Sequence, residues 1–274
     1  MIKTDDKNLE EKLSNLKRMI SNMNKVAVGF SGGVDSTFLS KIAYDTLKDK
    51  AIAITVSSIL TPVYEIEEAK HIANSIGIRH LVVEASLKGR EYLLTNPPDR
   101  CYHCKRDIYN TIKEASEIYN VSFILDGSVV DDSYDYRPGY SALKEMEVMT
   151  PLMDLGFTKH DVRELSRRLG LNTWDKPSNP CLASRFPYGV AITHERLKQV
   201  SEAEFFIRSL GVDNVRVRYH YDTARIEVDR EAFKIILEKN EGITKRLKDL
   251  GFTYITLDME GYRKGSLNEN IINK

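Results

Sequence analysis

The sequence has little cysteine, three residues in 274, and an odd number excludes a fully paired disulfide framework. It has no net charge either, because 40 lysines and arginines balance 40 aspartates and glutamates. Without a global positive field nothing draws the chain as a whole to nucleic acid, and no nucleic-acid partner is expected. Long apolar runs are missing. None approaches the roughly 20 residues that cross a bilayer, and residues 1–11 are polar and charged, without the apolar stretch of an export signal. The expectation is a cytoplasmic protein with no membrane partner. Repeats and low-complexity tracts are absent too. What the chain does have is apolar residues, 42% of the total, enough for a sizeable core in one large domain or two ordinary ones.

Those apolar residues are ordered. Leu9, Leu13, Leu16, Met19, Ile20 and Met23 recur at helical spacing and predict an amphipathic helix over 6–23. Lys25 to Phe30 is a short apolar run ending in glycines, a buried strand entering a tight loop. A helix over 37–47, a strand over 51–56, a helix over 63–76 and a strand over 79–84 follow. A helix over 105–119 and a strand over 121–126 complete the series. Such alternation predicts an α/β fold with a doubly wound, mostly parallel sheet covered on both faces. The ligand crevice of such a sheet lies beyond the carboxyl ends of its strands, where Gly32-Gly33, Ser57-Ser58 and Gly127-Ser128 all fall. The pattern then changes. Residues 131–139 read as a polar loop, 158–169 as a helix, and 172–189 as an irregular segment with Pro177, Pro180, Pro187 and Gly189. A helix over 193–210, strands over 214–219 and 224–228, helices within 230–250 and a strand over 253–257 predict a smaller α+β domain. The expected domains are 1–189 and 190–274.

A strand, then Ser31-Gly32-Gly33-Val34-Asp35-Ser36, then a helix is an anion site in outline. Glycines reach backbone angles that other residues avoid and let the main chain approach a ligand. Backbone N–H groups and the helix N-terminus then face phosphate oxygens. Ser31 and Ser36 add hydroxyl donors, and Asp35 can hold Mg2+ or cap the helix. A Gly-Gly turn alone is usually a mere connection, and no Gly-Lys-Ser/Thr follows to make a Walker A loop. The whole hexapeptide behind an apolar strand resembles the PP-loop of the ATP pyrophosphatases, which cut ATP between the α and β phosphates. That resemblance implies an enzyme whose substrate oxygen attacks the α-phosphorus while prearranged donors stabilise the departing pyrophosphate. Ser57 and Gly127 join Ser31–Ser36 as candidate nucleotide contacts.

Cys101 and Cys104 form a C-x-x-C ahead of the helix expected from Lys105, and Cys181 lies far along the chain. The pair alone fits half of a zinc site, a redox pair or coincidence. Three thiolates and one missing ligand suit a 4Fe–4S cluster with one iron left open. His71, His80, His160, His194 and His220 show no metal spacing and read as structural or exposed.

Several segments together resemble the LarE-type ATP-dependent sulfur transferases: Gly29–Ser36, Arg100-Cys-Tyr-His-Cys-Lys105, Asp126-Gly-Ser128, Asp131-Asp132, Tyr136-Arg-Pro-Gly139, Pro180-Cys-Leu-Ala-Ser-Arg185 and Val215-Arg-Val-Arg218. The likeness runs from about residue 9 to residue 264. It implies adenylation of a pyridinium dicarboxylate mononucleotide and replacement of the activated oxygen by sulfur, in assembly of the nickel-pincer nucleotide cofactor. Asp35 and Cys181 are the catalytic residues it implies, and ATP and Mg2+ its cofactors. In one branch the cysteine at the position of Cys181 gives up its sulfur. In another, three cysteines hold a 4Fe–4S cluster and sulfide is the donor, and the presence of Cys101, Cys104 and Cys181 favours that branch. The resemblance also places Arg216 and Arg218, two residues apart on one strand face, around the substrate phosphate. Glu204 falls at a metal or pocket position, although a helix glutamate is ordinarily exposed. Arg137 either contacts substrate or nucleotide or orders its loop. Lys176 and Arg185 flank Cys181 and either offset cluster or phosphate charge or sit on the surface. A homo-oligomer is implied as well. Competing readings are a 4Fe–4S-dependent tRNA thiolase, an ammonia-using synthetase and a non-catalytic nucleotide sensor.

Overall fold

The computed structural model describes residues 2–85, 91–134, 138–177, 181–263 and 266. The chain divides into two compact units, Met1–Lys88 with Asp99–Asn179, and Gly89–Pro98 with Pro180–Lys274. In the first unit α1 (Ile2–Ser21) leads to β1 (Val26–Gly29), and α2 (Val34–Leu47), β2 (Ala51–Ser57), α3 (Val63–Ile76) and β3 (Arg79–Glu84) follow. Then come α4 (Arg100–Glu117), β4 (Phe123–Leu125), α5 (Pro138–Glu145), α6 (Pro151–Asp154) and α7 (Lys159–Arg168). The four strands form one parallel sheet in the order β3-β2-β1-β4, so the chain switches sides between β1 and β4 and opens a crevice beside the end of β1. Alternation along the strands sorts the core into two layers. Val26, Val28, Ala51 and Ala53 pack with Leu16, Ile20, Phe38, Leu39 and Ala73 of α1, α2 and α3. Ala27, Ile52 and Ile54 face Tyr109 and Ile112 of α4.

The second unit holds α8 (His194–Ser209), β5 (Val215–His220), β6 (Thr223–Val228), α9 (Phe233–Glu238), α10 (Asn240–Asp249) and β7 (Tyr254–Leu257). Its sheet runs β5-β6-β7, antiparallel and then parallel. Among the described residues no helix is long and apolar enough to cross a membrane.

Three expectations need correcting. The fourth helix starts at Arg100, not Lys105, because the Asp99 carbonyl already accepts from Tyr102 N–H at 2.9 Å and opens the first turn. Cys101 and Cys104 therefore sit inside that turn. Part of the polar loop at 131–139 is a 3-10 turn (Val130–Tyr134), and α5 opens at Pro138, a residue whose fixed φ suits a helix start. The units divide at 179/180 rather than 189/190, and residues 89–98 belong with the second. The Asn96 side chain donates to the Phe186 and Pro187 carbonyls at 3.2 and 2.7 Å, and Ile192 N–H donates to Leu94 O at 2.7 Å.

Candidate functional site

The loop after β1 is shaped by its glycines. Gly32 takes φ +67°, a left-handed conformation that disfavours a side chain, and a Cβ there would stand 3.3 Å from the Ala69 Cα. Gly33 is the extended N-cap of α2, and among the described residues no side chain caps that helix, which leaves its positive end open to an anion. The Ser36 hydroxyl accepts from Ser31 N–H at 3.2 Å and lies 3.1 Å from the Ser31 hydroxyl, closing the loop on itself. Val34 is buried beneath it. Gly127 presses from the end of β4: a Cβ would meet Ser36 N at 3.0 Å and the Asp35 carbonyl carbon at 3.1 Å. Ser57 ends β2, but its hydroxyl leans toward the Val83 carbonyl at 3.4 Å.

Asp35 lies in the first turn of α2 with Oδ2 bonded to the Lys159 ammonium. Its Oδ1 is buried with no hydrogen-bond partner among the described residues. Burial raises the carboxyl pKa, against the pull of Lys159. An orphaned carboxylate oxygen beside a phosphate loop fits Mg2+, which takes one or two carboxylates together with substrate phosphates.

Sequence reasoning missed Lys159 and Arg163. The Thr158–Asp161 capping box fixes the start of α7 and sets Lys159 at its first position, and Arg163 follows at i+4 on the same side. That spacing was the available signal. Arg163 donates to the carbonyls of Trp174 and Lys176 at 2.7 and 2.8 Å. Lys176 in turn donates to the Gly32 carbonyl at 3.0 Å and pairs with Glu68 at 2.8 Å. Lys176 is thus part of the glycine loop's frame.

Asp126 at the end of β4 ties the loop to the cysteine-bearing helix. Its carboxylate accepts from Lys105 Nζ and the Tyr109 hydroxyl, each at 2.6 Å, and from Ser128 N–H at 2.8 Å. Burial pushes its pKa up, but the Lys105 charge and these hydrogen bonds outweigh it and hold the carboxyl at about 2. Lys105 directly follows Cys104, so Asp126 anchors the turn that carries the C-x-x-C. Cys101 is exposed and Cys104 half-buried, and both are thiols. At i and i+3 they share a helix face, and the Arg100 guanidinium lies 3.8 Å from Cys101 Sγ. Within either unit no three His, Cys, Asp or Glu of the described residues are gathered for a metal ion.

The second unit concentrates buried charge. Arg185, expected as a flanking or surface residue, is 1% exposed and grips Glu204 with two hydrogen bonds of 2.7 and 2.9 Å. Glu204, expected at a metal or pocket position, is equally buried, unlike an ordinary helix glutamate. It also accepts from Val217 N–H at 3.0 Å and Arg208 at 3.3 Å. Arg218 donates to Glu227 at 2.8 and 2.9 Å and to the Ser184 carbonyl at 2.7 Å, and Arg225 shares Glu227. Arg216, two residues along the same strand face, stacks over the Tyr262 ring at 5.2 Å and donates to the Val215 carbonyl. Burial, with Arg185 nearby, lowers its pKa. Five guanidinium groups thus crowd two buried glutamates. Cys181, exposed, begins the 3-10 turn Leu182–Arg185 of this unit. Arg137 lies outside the described residues.

Comparison with known proteins agrees with this chemistry. The NAD synthase family profile matches residues 7–93. An uncharacterized protein of Synechocystis is 42% identical over 263 residues, covering 95% of this chain and 98% of that one. The pyridinium-3,5-bisthiocarboxylic acid mononucleotide synthase of Lactiplantibacillus plantarum is 35% identical over 264 residues, 96% of either chain. A tRNA-specific 2-thiouridylase of Thermoanaerobacter is more distant, 25% identical over 66% of this chain and 62% of that one. With a glycine loop at the open end of α2 and likeness to the synthase over 96% of either chain, the chain belongs to the LarE-type family of ATP-dependent sulfur transferases within the PP-loop ATP pyrophosphatases.

Proposed function

We propose that this enzyme adenylates a carboxylate of a pyridinium dicarboxylate mononucleotide with ATP and replaces the activated oxygen by sulfur, a step toward the nickel-pincer nucleotide cofactor. In the first step a carboxylate oxygen bonds to the α-phosphorus and pyrophosphate leaves. In the second, hydrosulfide adds to the acyl carbon and loses its proton, and AMP departs with the C–O bond, leaving a thiocarboxylate. The amides and hydroxyls of Ser31–Ser36 hold the pyrophosphate, Asp35 holds Mg2+, and the strand ends at Ser57 and Gly127 border the nucleotide. Arg216 and Arg218 take the substrate phosphate, a role suited to planar guanidinium forks, and Glu204 fixes the neighbouring Arg185. Arg137 is assigned to the same substrate.

The observation that carries this reading is the link from Asp126 to Lys105, which fixes the turn bearing Cys101 and Cys104 to the strand end whose next residue, Gly127, abuts Ser36. Sulfur ligands stand on an element tied to the phosphate loop. Three thiols are a donor set for a 4Fe–4S cluster with an open iron, held by Cys101, Cys104 and Cys181. When bound, such a cluster supplies a Lewis acid that keeps hydrosulfide nucleophilic. The exposure of Cys181 favours a second reading, in which that cysteine gives up its own sulfur and becomes dehydroalanine. Anaerobic turnover followed by intact-protein mass spectrometry separates the two. Many thiolations per chain with added sulfide, lost in Cys101→Ser and Cys104→Ser together with the cluster absorption, are expected. One sulfur per chain, loss of the mass of hydrogen sulfide at position 181 and no need for sulfide would overturn the cluster reading.

A further inference from the structure

Gly32 presents a problem that its neighbours solve. Without a Cβ its peptide can turn over at little cost, yet a phosphate loop works only if its N–H groups point at the ligand. The Gly32 carbonyl and the Gly33 N–H belong to one trans peptide plane and point in opposite directions. Whatever holds the carbonyl therefore aims the amide. That group is the Lys176 ammonium, 3.0 Å from the carbonyl oxygen. Among the described residues Gly33 N–H has meanwhile just a long contact of 3.3 Å to the Ser31 hydroxyl, weak enough to be exchanged for a phosphate oxygen.

Lys176 is itself held from two sides. Its side chain pairs with Glu68 at 2.8 Å, and its own carbonyl is tied to Arg163 at 2.8 Å. Glu68 belongs to α3, whose Ala69 and Ile72 already lie 3.3 to 3.4 Å from the space where a Gly32 side chain would be. One helix face thus blocks the α-carbon of Gly32 and directs the lysine that fixes its carbonyl.

We propose that Glu68 and Lys176 are positioning residues for the nucleotide loop: Glu68 orients Lys176, and Lys176 locks the Gly32 peptide so that Gly33 N–H faces the pyrophosphate. The proposal rests on the reading that this loop binds the phosphates of ATP. It differs in sign from a direct role for Lys176 on phosphate. If Lys176 ligated phosphate, Glu68 would be a competing negative charge, and its removal would tighten anion binding. If Lys176 acts through the Gly32 carbonyl, removing Glu68 loosens the loop and weakens binding.

The test measures Mg2+-pyrophosphate affinity by titration calorimetry, and kcat and KM for AMP formation, in the full-length enzyme. Glu68→Ala, an exchange at a half-buried helix position, should weaken pyrophosphate binding about 3- to 5-fold and Lys176→Met about 10- to 30-fold. Lys176→Arg should recover part of that loss. The double variant should be no worse than Lys176→Met, because Glu68 acts through the lysine. The KM for the mononucleotide should stay unchanged. Tighter pyrophosphate binding in Glu68→Ala, or additive losses in the double variant, would overturn the relay while leaving the nucleotide site in place. A wild-type enzyme that neither binds pyrophosphate nor forms AMP would remove the nucleotide reading and the relay with it.

Discussion

In the first unit the groups we propose to receive an anion are backbone amides at the open end of α2, aimed by glycines and framed by lysines at the rim. In the second they are the guanidinium groups of Arg216 and Arg218, packed inside the fold and, like the neighbouring Arg185, less than a tenth exposed. The difference is one of cost. Amides at a helix end carry partial charges and need no counter-charge when empty. Buried guanidinium groups need carboxylates at all times, which is the work of Glu204 and Glu227. A loop of the first kind can exchange triphosphate for pyrophosphate and release it. A cluster of the second kind is rigid and suits a group that stays in place through the reaction.

That contrast can be broken most sharply in the second unit. Arg185→Met leaves the Glu204 carboxylate buried without its two strongest bonds, and a loss of about 3–5 kcal/mol of stability is expected in urea unfolding. Arg185→Met with Glu204→Leu should recover most of it. A single-variant cost below about 1 kcal/mol would mean the cluster is solvated, and the comparison would fail.

Among the described residues of the first unit Asp126 and Arg100 are buried charged groups, and acid tests Asp126. Its folded pKa of about 2 lies below the ordinary 3.8. A depressed carboxyl contributes stability that is fully present above the unfolded pKa and fades as pH falls from about 4 toward 2. The shift corresponds to roughly 2.5 kcal/mol. Asp126→Asn should flatten that part of the pH–stability curve, and an unchanged curve would refute the assignment.

The smallest effect sharpens the comparison functionally. Arg216→Ala or Arg218→Ala should raise the KM for the mononucleotide about 30-fold, near 2 kcal/mol, with ATP affinity unaltered. Equal loss of ATP binding would place both arginines on the nucleotide instead.

Much of this was legible in the sequence. The limits of α3 and β3 match the apolar periodicity, and the run from Val26 to Ser36 announced both the strand and its loop. The C-x-x-C turn was not legible as helix. Arg-Cys-Tyr-His-Cys has no apolar repeat, and its inward residue is Arg100, an arginine 4% exposed. The roles of Arg185, Glu204 and Lys176 were hidden for a related reason. Charge in a sequence reads as surface, and pairing across 19 residues for Arg185–Glu204, or 144 for Lys176–Gly32, leaves no periodic trace. Even Ser57, correctly placed at a strand end, turns its hydroxyl along the sheet, a choice set by the neighbouring strand.

The membership of residues 89–98 in the second unit bears on how the protein is made. The chain leaves the first unit after β3, lays down a stretch in which Leu94 and Asn96 have hydrogen-bonding partners at Phe186, Pro187 and Ile192 that have yet to be synthesised, and returns to build α4 with its two cysteines. During translation Asn96 must wait about ninety residues for the carbonyls it holds. The second unit therefore closes late, and no single cut in the gene separates the two halves of the enzyme.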